Sequence, residues 1–334
     1  MLLNRRRFLG TSLAAAAGMS RSLRAAPAKA TANDARGKAQ IAITLDLEMS
    51  RNFPAWEDTH WDYEKGNLDQ PSKDYTAAAC RRVAQRGGRI HCFTVARVLE
   101  QENADWLAEI HAAGHPIGNH TYDHVNVLAT RTEDIQFRFR RAPWLVEGRP
   151  PAEIIAENVR LATLALRERL GVEAAGFRTP GGFADGLAGR EDVQEMLLAQ
   201  GFSWVSSKYP AHANSEPLMP PGEDVLASIV AAQEFAQPFI YPSGLIEVPM
   251  SPISDIGAFR GGRWPLEAFL TAIRRSVEHV IERGWTFDFL AHPSCLGVVD
   301  PEFRAIDLIC DLVEQSGGRA ELTDLHGLAA RAMG

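Results

Sequence analysis

The sequence predicts a parallel α/β fold of barrel size, and three observations carry that prediction. Strand-like apolar runs alternate with helical stretches seven or eight times along the chain. The length, 334 residues, suits one barrel domain. No glycine-rich dinucleotide or phosphate loop follows the first strand, which counts against a doubly wound open sheet, the alternative architecture. Composition agrees: 46% hydrophobic and 23% charged residues exclude a disordered chain, and a net charge of −7 argues against a globally basic nucleic-acid binder.

Residues 1–30 stand apart. They hold six basic side chains and no acid; setting those six aside leaves 29 of the 35 basic residues against all 42 acidic ones, a net charge of −13. Arg5, Arg6 and Arg7 precede Phe8-Leu9, an alanine-rich run follows, and Ala28-Lys29-Ala30 has the small-x-small form of a cleavage site. This order resembles a twin-arginine export signal. The expectation is a signal at 1–30, a single catalytic domain at 31–334, and a periplasmic or secreted destination. The apolar run is too short for a stable membrane span. Cys80, Cys92, Cys295 and Cys310 form no CxxC pair and are expected to be mainly buried apolar fillers; three disulfide pairings are formally open.

The elements follow in order. Residues 40–47, apolar and partly β-branched, predict a buried strand. Residues 50–72 predict a long loop carrying Trp56, Trp61 and Tyr63. A helix over 73–86 stops at Gly87-Gly88, and residues 89–95 make the second strand. A helix is expected over 97–113 and a short strand over 115–119. Residues 126–151 are treated as a loop with Arg138, Arg140, Arg141 and Trp144. Then come helix 152–170, strand 174–178, helix 190–200 and strand 202–206. Residues 208–243 are proline-rich, with a helix near 223–234. Strand 245–249, helix 265–283, strand 285–291, helix 301–316, strand 319–323 and a terminal helix complete the rhythm.

Chemistry in parallel α/β folds collects at the carboxyl ends of strands. The first strand ends in Asp46-Leu47-Glu48, whose carboxylates point the same way from an extended chain. The third runs into His120-Thr121-Tyr122-Asp123-His124, a chelating pair if that segment is one helical turn. The fourth ends in Arg178-Thr179-Pro180-Gly181-Gly182, a turn whose amides could receive an oxyanion; an Arg in the place of Arg178 is usually a structural ion pair. A late strand ends in His292, a candidate proton donor or a satisfied core histidine.

These motifs, above all Gly114-His-Pro-Ile-Gly-Asn-His-Thr-Tyr-Asp-His124, resemble the polysaccharide deacetylase family, the NodB-homology domain of carbohydrate esterase family 4. All four agree in order and spacing over roughly residues 40–325. The resemblance implies a distorted (β/α) barrel with seven strands rather than eight. It also implies one divalent metal and an acetylated glycan as substrate. Carried over, His120 and His124 become metal ligands, with Glu48 the third ligand and Asp46 the base. The converse, Asp46 on the metal, is the alternative. Arg178 would orient the base, His292 would be the acid, and Pro180, Gly181 and Trp204 would stand near the oxyanion or substrate. The family's usual pair of adjacent aspartates is here Asp46-x-Glu48. Its Asp-Trp pair is reduced to Trp204, leaving Asp288 or Asp255 to tune His292.

His/His/carboxylate donors suit Zn best, with Co, Ni or Fe as alternatives. The expected reaction is hydrolysis of an acetyl group, N-linked before O-linked. No nucleic-acid partner is expected, and the oligomeric state is open. Two rival readings share the scaffold: a hydrolase of small cyclic amides or ureides, and a glycan-binding barrel with weak catalysis.

Overall fold

The computed structural model describes residues 37–58 and 64–333. The expected signal at 1–30, with the domain boundary that follows it, and Trp61 and Tyr63 lie outside the described residues.

Among the described residues nine strands form one sheet: β1 (Ala39–Leu47), β2 (Ile90–Thr94), β3 (Ile117–Asn119), β4 (Phe177–Phe183), β5 (Trp204–Lys208), β6 (Phe239–Ile240), β7 (Ile246–Glu247), β8 (Thr286–Ala291) and β9 (Ala320–Thr323). Their order is β6-β7-β5-β4-β3-β2-β1-β8, with β9 beside β1. Every pairing is parallel except β6 with β7. β1 is the hub. Residues 43–47 pair with β2, 39–42 with β9, and 40–45 with β8. A strand covered on both edges and both faces must be apolar almost throughout, and Ile41, Ile43, Leu45 and Leu47 are all buried.

The sheet curls back on itself beyond β7. Val248 and Met250 donate to carbonyls of Val205 and Lys208, and Ser251 then donates to the carbonyl of Asp288. A bridge joins Ser254 to Leu290. An irregular segment rather than a full strand therefore closes the barrel, which makes it distorted, as expected. Helices Gln70–Gln85, Pro151–Leu170, Glu191–Ala199, Leu266–Arg283 and Arg304–Gln315 cover it.

Three local expectations are corrected. The helix expected over 97–113 breaks into a short turn, Ala96–Glu100, and a helix, Asp105–Ala112. Gln101 is extended, and the Asn103 side chain accepts from the Asp105 amide, starting a new helix instead of continuing the old one. The 126–151 loop contains short helical pieces, Thr132–Ile135, Phe137–Arg141 and Pro143–Leu145. The fourth strand starts later, at Phe177. Gly176 has φ +83°, and an added Cβ there would lie 2.0 Å from the Trp204 ring, so the chain must turn before it can pair. All four cysteines are buried and free.

Candidate active site

The chemistry gathers where β1, β3 and β8 end and where β4 begins, so Arg178 stands at the start of its strand and not, as expected, at its end. Asp46 closes β1, and a tight turn in which the Glu48 amide donates to the Asp46 carbonyl (3.0 Å) sends both carboxylates to the same place. Both are buried.

His120 and His124 converge by a different route from the expected helical turn. Residues 120–127 are not helical, and Thr121 and His124 sit at φ 60° and 59°. Non-glycine residues adopt that region only when neighbours hold them there. The Thr121 amide donates to Asn119 Oδ1 at 2.8 Å, and the Val125 amide donates to Thr121 Oγ1 at 3.0 Å. Asn158, from the helix opposite, accepts the amides of Tyr122 and Asp123 through its Oδ1 and donates to Asp123 Oδ2. Asn158 gave no sequence signal, because nothing in its neighbourhood sets it apart from a helix surface residue.

Glu48, His120 and His124 offer ligand atoms that all lie within 4.8 Å of one another. Glu48 Oε2 stands 2.7 Å from His124 Nε2 and 3.6 Å from His120 Nε2. His120 Nδ1 lies 3.0 Å from the Arg178 carbonyl. A carbonyl only accepts, so Nδ1 carries the proton and Nε2 presents a lone pair toward the carboxylate. Glu48 Oε2 is buried and finds no well-aligned hydrogen bond. Acceptors that face one another in a buried site call for a cation between them. Charge supports the same conclusion. Asp46, Glu48, Asp255 and Asp288 are all buried; Arg178, Lys65 and a protonated His292 offset three of those charges, and a cation among the donors would offset the remainder. The residues present therefore fit a divalent metal.

Arg178 is fully buried and organises the floor. Its Nη1 donates to Asp46 Oδ1 (2.9 Å) and Thr44 Oγ1 (2.8 Å), its Nη2 to Asp288, and its guanidinium lies 4.4 Å from the Phe93 ring centroid. Asp46 keeps Oδ2 for the site, 3.7 Å from His120 Nε2 and 3.9 Å from His292 Nε2. Burial pushes the Asp288 carboxyl up to about 6 despite Arg178.

His292 follows β8. Asp255 rather than Asp288 tunes it: Asp255 Oδ1 is 2.9 Å from Nδ1, and Oδ2 accepts the His292 amide at 2.7 Å. Burial alone would lower the His292 pKa, but Asp255, with help from Glu48 and Asp46, raises it. His124 behaves oppositely. Burial outweighs Glu48 and brings it down to about 4, so it stays neutral. Glu48 is held well below the usual carboxylate range: burial would raise it, but His124 and Lys65 outweigh that.

Pro180 and His124 share a cavity of ≈ 250 Å³ with Arg51, Asn126, Gln136 and Arg140. Gly181 lies exposed beside it at φ +79°. Trp204 is elsewhere, which corrects its expected place near the substrate. It begins β5, two residues before Ser206, and is buried against Phe93 and His91, behind the ring that Arg178 covers, with Nε1 3.1 Å from His326 Nδ1. The basic run 138–141 also disperses. Arg138 pairs with Asp123, Arg141 covers Phe137, and Arg140 alone of the three lines the cavity beside His124. Trp56 carries the Arg263 guanidinium at 4.1 Å, and Trp144 is exposed.

Residues 63–196, the segment that holds His120, His124 and Arg178, match the polysaccharide deacetylase family profile. That segment is of the polysaccharide deacetylase type. The match makes the chain a hydrolase of the esterase and deacetylase type. Its fold agrees with two solved structures described as polysaccharide deacetylases. One, from Pseudomonas aeruginosa PAO1, is 15% identical with a TM-score of 0.58, over 88% of this chain and 90% of that one. The other, from Mycobacterium smegmatis, is 16% identical with a TM-score of 0.55, over 89% and 91%. No curated protein sequence matches the chain.

Proposed function

We propose that the deacetylase domain hydrolyses an acetyl group, N-linked in preference to O-linked, from a glycan, in a reaction that depends on one divalent metal held by Glu48, His120 and His124. The observation that carries this reading is the meeting of those three donors with Asp46 on one side and His292 on the other. Bound there, the ion would supply Lewis acidity and a water of lowered pKa, and the donor set suits zinc, with cobalt, nickel or iron next.

The chain's own groups supply the rest. Asp46 takes the proton of the attacking water at Oδ2. Arg178 occupies Oδ1 and holds the carboxylate in place. His292 gives a proton from Nε2 to the leaving nitrogen or oxygen, while Asp255 holds its Nδ1–H and stabilises the protonated ring. The Pro180-Gly181 turn borders the cavity where the acyl group would sit. Residues 1–30 belong to the same reading as a twin-arginine export signal, with 31–334 as the exported domain.

The test is acetate release from N- and O-acetylated glycans by metal-stripped protein, with and without added Zn²⁺ or Co²⁺, beside His120→Ala. Metal-dependent release that the variant loses supports the proposal. Binding of one metal per chain without acetate release from any glycan overturns it, and turnover of a cyclic amide instead would install the small-amide reading.

A further inference from the structure

Lys65 was not singled out in the sequence. It is buried with Glu48 as its ion-pair partner. An ammonium taken out of water costs several kcal/mol unless it is paired, so its placement needs a reason. The atoms provide one. Lys65 Nζ donates to Glu48 Oε1, whereas both histidine Nε2 atoms face Oε2. The ammonium and the histidines thus use opposite oxygens of one carboxylate, and Lys65 does not fill the position where the three metal donors converge. The Lys65 carbonyl accepts the Met49 amide at 2.9 Å, which ties the lysine backbone to the turn that carries Glu48.

We propose that Lys65 is a positioning residue for the metal centre: by occupying Oε1 it makes Glu48 a one-oxygen ligand through Oε2. The inference rests on the metal assignment made above. A glutamate has one more rotatable bond than an aspartate, so its carboxylate must be pinned to act as a fixed ligand. A carboxylate free at both oxygens can also bind a metal through both, using a coordination position that water or the acyl oxygen needs. Partners that orient a metal ligand in this way typically change affinity 10–100-fold when removed.

The test uses the full chain with Zn²⁺ and Co²⁺ as probes, comparing the unmodified protein with Lys65→Met and Lys65→Gln. Glutamine keeps a donor and loses the charge, and serves alone if the methionine variant does not fold. The expected result is Zn²⁺ affinity about 10–100-fold weaker in Lys65→Met and less affected in Lys65→Gln. The visible spectrum of the Co²⁺ form should change in Lys65→Met, reporting altered coordination, while the metal-free proteins keep the same circular dichroism. Equal affinity and an unchanged Co²⁺ spectrum overturn this inference and leave the deacetylase reading standing. Tighter binding in Lys65→Met also overturns it and makes Lys65 a competitor for the metal position. No metal bound by the unmodified chain removes both.

Discussion

Asp255 grips His292 twice: one carboxylate oxygen lies 2.9 Å from Nδ1, and the other accepts the backbone amide at 2.7 Å. The grip fixes the ring and keeps Nε2 pointed at the site. Asp255→Asn should lower kcat roughly 100-fold or more, the scale of a lost general acid. It should also shift the profile. Asp255 raises the His292 pKa, so the proposed acid stays protonated to higher pH. Without that charge the alkaline limb of the kcat profile should move to lower pH. An unmoved limb would disconnect Asp255 from the acid.

Arg178 should matter for stability as much as for catalysis. Arg178→Met leaves Asp46 and Asp288 without a cation in a buried site. Breaking a buried ion pair typically costs about 3–5 kcal/mol. Urea unfolding of the variant should show a loss of that size, and a loss below 1 kcal/mol would mean the floor relaxes around the gap.

His91, separated from Arg178 by the Phe93 ring, predicts an acid-dependent loss of stability. It is fully buried, stacks on Phe93 with centroids 4.5 Å apart, and leaves Nδ1 without a hydrogen bond. Burial, and to a lesser extent His326, holds its pKa well below the ordinary histidine value. The unfolded chain binds this proton below about pH 6.5 and the folded chain does not. Its contribution is therefore present above that pH and is lost as pH falls through it, by at most about 1.4 kcal/mol per pH unit. His91→Phe should flatten the slope of stability against pH between 6.5 and 4.5. An unchanged slope would show that the ring already charges in the fold.

A metal held by Glu48, His120 and His124 should stabilise the fold by mass action. At a free concentration a hundredfold above Kd the gain is about 2.7 kcal/mol. Chelation should lower the melting temperature of the unmodified protein and leave that of His124→Ala nearly unchanged. Equal responses would place the metal elsewhere.

Gly176→Ala tests the packing of Trp204. The new Cβ would lie 2.0 Å from the indole, at a φ of +83° that alanine disfavours. Overpacking of this kind costs about 1–3 kcal/mol, with backbone strain in addition. Thermal unfolding should report a clear loss, while metal affinity stays close to that of the unmodified chain.

Most elements were legible because burial imposes periodicity. The helices near 151–170 and 266–283 show it directly, while the run 40–47 was legible as a continuous apolar stretch. The failures were local. The break at Gln101–Asn103 depends on a side chain capturing one amide, which no period records. Trp204 was placed by analogy to a motif whose aspartate is missing, and its side chain is buried behind Phe93 instead of facing the cavity.

The candidate site divides in the same way. Residue types and their order along the chain already named Asp46, Glu48, His120, His124, Arg178 and His292, because chemistry at strand ends needs acids, imidazoles and a buried guanidinium in those places. Which oxygen meets which nitrogen was not legible. Asp255 rather than Asp288 meets His292, Lys65 meets Glu48, and the left-handed turn at Thr121 brings the two histidines together. Those partners lie 17 to 37 residues apart in the chain or depend on a single backbone angle. Such distances close only when the barrel folds, since burial forces each charged group to find whichever partner the packing leaves within reach.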